Sequence, residues 1–236
     1  MKILLTLLSF WGLISSSIAQ PIDFEDIFGE HWKRAVEYEK ENRAWIEPIM
    51  IENGISYPLA VAVIFPELIR YSAIRDKMEI TLLKTLYINL GEEYANFSIG
   101  HFQMKPSFAE LIRQEADSFP ELNHGITLSS PDEYSNIINY RKSIVADLED
   151  PRRQVIYLVA FLKICEKRFN IKIDDGSHLP FISTAYNYGI DRSASRIEGM
   201  INKKFFTTTL FKSELYSYAE ISMVWYKKYV SENNPR

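Results

Sequence analysis

Residues 56–75 read SYPLAVAVIFPELIRYSAIR, and no other stretch constrains this chain so tightly. From Leu59 to Ile69 the residues are apolar almost all round, so a helix formed here has no face to give to water. It is predicted to be a buried central helix. Few runs elsewhere alternate with period two, so the elements that enclose it are themselves helices and the fold class is all-α. Glu67 is the exception within the run. A lone carboxylate among apolar side chains is costly unless it is paired, or unless its pKa rises and it is held neutral. A carboxylic acid kept protonated near neutral pH is what a glycosidase needs as its general acid. Pro66 sets the local geometry. Inside a helix it removes a backbone bond and kinks the turn that presents Glu67. Opening a fresh helix, it would place Glu67 at a positive dipole end and lower its pKa. The unbroken run from Leu59 to Ile64 favours the kink.

Helical spacing recurs along the rest of the chain. It predicts helices over 24–46, 79–90 (ended by Gly91), 107–115, 132–147, 179–187 and 213–231. The strongest runs from Pro151 to Phe169, with Pro at the first helical position, where its missing N–H costs nothing. Asp174-Asp175-Gly176 reads as a turn. No internal repeat or linker divides the chain, so residues 20–236 are read as one helical domain with an N-terminal helical extension over about 20–54. The 236 residues suffice for a substantial core. A net charge of −4 gives no sign of a dedicated basic face for nucleic acid. Four scattered His with no His-x-x-x-His spacing offer no metal site, and no cofactor is expected. The single Cys, Cys165, falls on the apolar stripe of the helix after Pro151. It reads as a buried, inert thiol and permits no internal disulfide.

The N-terminus reads as an address. Lys2 precedes an apolar run from Ile3 to Ile14, and Ser15-Ser16-Ser17-Ile18-Ala19 supplies a small-x-small site. This is the pattern of a secretory signal peptide cleaved near Ala19. The run is short for a membrane span, and no later segment suits one, so no stable membrane insertion is expected after cleavage. The destination is exported, with the periplasm as the compartment of choice.

Two further stretches join Glu67. One is Gly100-His101-Phe102-Gln103-Met104-Lys105-Pro106-Ser107-Phe108-Ala109, which wedges an amide between two large apolar residues. The other is Ser183-Thr184-Ala185-Tyr186-Asn187-Tyr188-Gly189, a small-aromatic-amide-Gly run that closes a helix. With Glu67 they resemble the lytic transglycosylases, the peptidoglycan-cleaving relatives of goose-type lysozyme. That family carries a catalytic Glu at the end of an apolar helix, then Gly-x-x-Gln-x-x-Pro-x-x-Ala, then Ala-Tyr-Asn-x-Gly. The C-terminal LYSYAEISMVWYKKY is similar to the family's closing helix, with Tyr218 as its cleft-facing tyrosine. The resemblance covers roughly residues 55–230.

The resemblance implies a lysozyme-like helical domain that acts on peptidoglycan glycan strands. Glu67 is the implied catalytic acid, and Gln103, Met104, Tyr186, Asn187 and Tyr218 are the implied substrate contacts. The chain also departs from the family pattern. Leu68 follows the Glu where a Ser is usual, which removes a hydroxyl or passes its role to Tyr71 or Ser72. The segment between Glu67 and Gly100 is long and holds Glu92 and Glu93, which are alternatives to Glu67 for the acid but sit beside Gly91 in a polar stretch and read as solvent-exposed. His101 stands where an apolar residue is usual. Each candidate also has a plainer reading: Glu67 a neutral structural acid, Gln103 a structural amide, Asn187 a helix cap, Tyr186 and Tyr218 core aromatics. Two alternatives to the lytic activity stay open. One is a lysozyme-type muramidase, which would need Asp76, Glu79 or Asp191 to hold a water. The other is an inactive glycan-binding or envelope-assembly protein with the same fold.

Overall fold

The structure, a computed structural model, describes residues 22–72, 77–95, 97–117, 128–173, 176–207 and 215–233. The expected leader, Asp76 and the Asp174-Asp175 pair lie outside the described residues. Ten α-helices are found among those described: α1 (Phe24–Phe28), α2 (Glu30–Glu52), α3 (Tyr57–Ser72), α4 (Lys77–Leu90), α5 (Pro106–Asp117), α6 (Ile137–Glu149), α7 (Pro151–Phe169), α8 (Leu179–Tyr188), α9 (Ala194–Glu198) and α10 (Tyr218–Asn233). One short hairpin, β1 (Lys204–Phe206) with β2 (Tyr216–Ser217), completes the elements. The fold is all-α.

The run that opened the sequence reading sits at the centre. Every residue of α3 from Leu59 to Ile69 is buried, and α2, α10, α8 and α7 surround it. Trp32 of α2 meets the Phe65 ring edge-on at 4.7 Å, and Phe65 stacks on Trp225 of α10 at 5.1 Å. These large rings fill the space that straight helices leave between their axes. α3 continues through Pro66, so Glu67 lies inside a helix and not at a new N-terminus.

A second layer of α5, α6 and α7 packs beside this core. Its centre is Arg113 on α5, only 1% exposed. Its Nε donates to the Tyr157 hydroxyl (2.6 Å), Nη1 to Ser143 (3.0 Å) and Nη2 to Asp147 (2.9 Å). Asp147 also accepts from Arg153, so one carboxylate serves two cations across the layer.

Three boundaries differ from the sequence reading. The helix expected over 24–46 breaks at Gly29, whose φ of +49° no Cβ-bearing residue adopts cheaply, and then runs on to Glu52. The helix expected from 132 starts only at Ile137, after a 3₁₀ turn over Pro131–Glu133. The segment expected to be helical from 213 is instead strand at Tyr216–Ser217, paired antiparallel with Lys204–Phe206. Strands this short carry too few residues for a period of two to show. Cys165 is fully buried, and burial pushes its thiol well above its ordinary pKa. Among the described residues no helix is long and apolar enough to cross a membrane, and no group of three or more His, Cys, Asp and Glu is placed to hold a metal.

Candidate active site

The loop carrying the first motif is built by a few strict contacts. Ile99 and Met104 pair through their backbones, which folds residues 100–103 into a tight turn. Gly100 (φ +71°) and Gln103 (φ +49°) both take left-handed conformations in it. Gln154 of α7, 1% exposed, clasps the turn: its Oε1 accepts from the Phe102 N–H at 3.0 Å and its Nε2 donates to the Leu148 carbonyl at 2.5 Å. A Cβ on Gly100 would lie 1.5 Å from the Gln154 Nε2 and 2.8 Å from the Leu148 carbonyl oxygen. Gly100→Ala is therefore expected to cost at least the ~1–2 kcal/mol of a left-handed non-glycine residue, with the clash in addition. A lowered denaturation midpoint in urea checks this.

His101 reaches from the turn to two aromatic rings. Its ring lies between Tyr38 of α2 (4.4 Å, 22° between planes) and Tyr71 of α3 (4.2 Å, 42°). Burial lowers its pKa, so it packs there as a flat neutral ring. It anchors the loop by packing against these two rings.

A cleft of about 880 Å³ opens between α3, this loop, α5 and the end of α8. That size lies within the range of small-ligand sites, roughly 300–1,000 Å³. Glu67, Gln103, Met104, Tyr186 and Asn187 all line it. Glu67 is 3% exposed and sits at the inner end. Burial pushes its carboxyl above the ordinary pKa, against the opposing pull of Arg70, Lys105 and Tyr218. The plainer readings divide at this point. The Gln103 Nε2 donates to the Gly100 carbonyl at 2.8 Å, while its Oε1 accepts from nothing among the described residues. The Asn187 amide has no hydrogen-bond partner among the described residues, and the cap of α8 is Gly189. Both amides thus present polar atoms to the cleft.

The two tyrosines are committed within the protein. The Tyr186 hydroxyl donates to the Phe102 carbonyl at 2.8 Å, and its ring packs edge-on to Phe108 and Phe161. It ties α8 to the motif loop. The Tyr218 hydroxyl donates to the Val63 carbonyl at 3.0 Å, one residue along from the carbonyl that Pro66 deprives of its helical donor. Tyr218 does not line the cleft; its phenol stands beside the Glu67 carboxyl instead. With its proton given to Val63, its oxygen can accept one from a protonated Glu67.

Neither Tyr71 nor Ser72, the residues expected to stand in for a hydroxyl at Leu68, lines the cleft. Tyr71 stacks on His101, Ser72 bonds His31 and the Ile69 carbonyl, and Leu68 is buried. Glu92 and Glu93 are exposed, as read from their polar surroundings, and both lie on the cleft wall with Glu110 and Asp191. Glu79 is on α4.

Sequence reasoning missed three participants. Arg70 holds both Glu67 oxygens, at 2.8 and 2.9 Å; its spacing of three residues on one helix was the available signal. Phe206 of the hairpin backs the Arg70 guanidinium at 4.6 Å. Gln154 clasps the loop from 52 residues away in the chain, and nothing local marks it. No protein-family model, curated protein or solved structure matches this chain.

Proposed function

We propose that the cleft is the active site of an exported, periplasmic peptidoglycan lytic transglycosylase, and that the helical fold is of the lysozyme-like type. The observation that carries the reading is Glu67: a carboxyl buried at the inner end of a cleft, raised in pKa by that burial, with two open amides beside it. An acid whose pKa burial raises is suited to deliver a proton to a glycosidic oxygen. Amides with open positions suit the acetamido and hydroxyl groups of N-acetylated sugars, each of which offers both a donor and an acceptor.

In this mechanism Glu67 gives its proton to the oxygen leaving N-acetylmuramic acid. The sugar's own 2-acetamido group stabilises the oxocarbenium-like centre, which makes a second enzymic carboxylate unnecessary. Glu67, now a base, removes the proton of the 6-hydroxyl, and that oxygen closes a 1,6-anhydro ring. The Gln103 Oε1 and the Asn187 amide would orient the sugar, with Met104 as apolar wall. Tyr186 would hold the loop in place, and Tyr218 would hold the acid.

One observation favours hydrolysis as a second reading. Asp191, named from sequence as a water-holding candidate, is on the cleft wall, as are Glu92, Glu93 and Glu110. Mass spectrometry of muropeptides released from purified sacculi decides between them. Anhydro ends, lighter by one water, are the expected product; reducing ends select the muramidase. Binding to sacculi without release selects an inactive glycan-binding protein.

A further inference from the structure

We propose that Arg70 is a displaceable counter-ion for Glu67: in the free protein it holds the carboxyl ionised, and a glycan entering the cleft separates the pair, so that Glu67 takes a proton from water before cleavage. The inference rests on the reading of Glu67 as a general acid and names the step that arms it.

The geometry carries it. Arg70 Nη1 lies 2.8 Å from Glu67 Oε1 and 2.9 Å from Oε2, so a single cationic head occupies both oxygens. A cationic donor within hydrogen-bond distance of both oxygens favours the ionised form and opposes the burial that favours the neutral one. An ionised Glu67 cannot protonate a leaving group, so the pair must open for acid catalysis to begin. The two partners differ in access: the Glu67 side chain is 4% exposed and that of Arg70 31%. Arg70 is the outer member, lines the cleft, and rests on the Phe206 ring of the hairpin. It is the member a ligand meets.

What remains around Glu67 favours the neutral acid. N-acetylated glycans carry no cation to replace Arg70. Tyr218 from α10 and Tyr186 from α8 face the carboxyl as neutral phenols, both with pKa values pushed well above the ordinary one by burial. Lys105, exposed at the start of α5, is the one other cation among the groups that act on Glu67, and solvent screens it. With Arg70 gone, burial is opposed only by the screened Lys105 and the Tyr218 hydroxyl, and a proton enters from water. That proton passes to the glycosidic oxygen and returns from the 6-hydroxyl, so the cycle balances. Arg70 is thus a positioning residue that acts through Glu67.

Two measurements test this. In the first, the Glu67 side-chain carboxyl is titrated by ¹³C NMR in the free protein, for wild type, Arg70→Met and Arg70→Lys. The Met variant is expected to titrate at higher pH than wild type, and the Lys variant between them. Equal midpoints in wild type and either folded variant would overturn the proposal. The second is calorimetry of wild type with a β-1,4-linked N-acetylglucosamine tetramer in buffers of different ionisation enthalpy. Uptake of a proton, approaching about one per glycan bound between the two midpoints, is expected. Binding without uptake would overturn the proposal. Absence of binding would count against the glycan reading of the cleft, and the titration would then decide the Arg70 contact by itself. If the protein releases muropeptides, the Met variant separates the two pH profiles. Its kcat/KM, which reports the free enzyme, holds up to higher pH, while the high-pH limb of kcat stays in place. A merely structural Arg70 would leave both limbs unmoved.

Discussion

Glu67→Gln is expected to reduce muropeptide release by roughly 10²- to 10⁴-fold, the range a positioned general acid contributes, and to leave the helical fold intact. Gln fills nearly the same volume on α3 and can still accept from Arg70 through its amide oxygen, so the packing around Leu68 and Phe65 is undisturbed. It has no proton of suitable acidity to donate. Stability is expected to hold or rise. Because burial raises the folded-state pKa of Glu67 above the unfolded value, the native state binds the extra proton between the two. Stability conferred by that group is therefore fully present below the unfolded pKa and is lost as pH rises through the folded one. Above the folded-state pKa the wild type bears this loss and the Gln variant does not. A melting temperature for Glu67→Gln no lower than wild type at pH 7, combined with loss of release, is the expected pair of results. Release at the wild-type rate would remove the assignment of Glu67, whatever the melting curve shows.

Asp147→Ala is expected to be the most destabilising single change, at about 3–5 kcal/mol, because it strands a buried cation. Arg113 is enclosed by α5, α6 and α7, and Asp147 is the carboxylate that neutralises it. The variant leaves the guanidinium with only the Tyr157 and Ser143 hydroxyls and with the faces of the Tyr140 and Tyr134 rings. For a chain of this size the loss corresponds to a fall of roughly 6–20 °C in melting temperature. Burial alone would raise the Asp147 pKa, but the hydrogen bonds and charges of Arg153 and Arg113 outweigh it and hold the carboxyl below its ordinary value. The stability it confers is present above the unfolded pKa and is lost as pH falls through the folded one. Wild type should therefore lose stability in acid, and Asp147→Ala should lack that part of the pH dependence. A variant that melts within a degree of wild type would show that the network contributes nothing net.

The cost of Glu67 and the anchoring by Asp147 describe one division of labour. The layer of α5, α6 and α7 is fixed by a satisfied ionic network, while the central helix keeps an acid whose burial is only partly offset. Stored cost at a functional group, supported by a stable surround, is the usual arrangement where a pKa must be shifted.

The all-α class, the central position of α3 and the position of most helices follow from local information. Periodicity and apolar content alone decide which segments must be helical and which must be enclosed, and both are written in consecutive residues. The carboxylate in the apolar run and the paired amides of the two motifs were legible for the same reason. What the sequence could not decide was which groups complete them. Arg70 was visible only as a charge one turn from Glu67; whether it turned inward to the acid or outward to water depended on tertiary packing, in which the hairpin brings the Phe206 ring against its guanidinium. Gln154 and Tyr186 grip a loop 52 and 84 residues away in sequence, and no local pattern encodes such a pairing. The helix break at Gly29 and the two-residue strand at Tyr216 are likewise too short to leave a period. Short-range patterning determined the elements and the acid; long-range contact alone determined what surrounds that acid, because burial and hydrogen bonding depend on neighbours that the chain supplies only once it has folded.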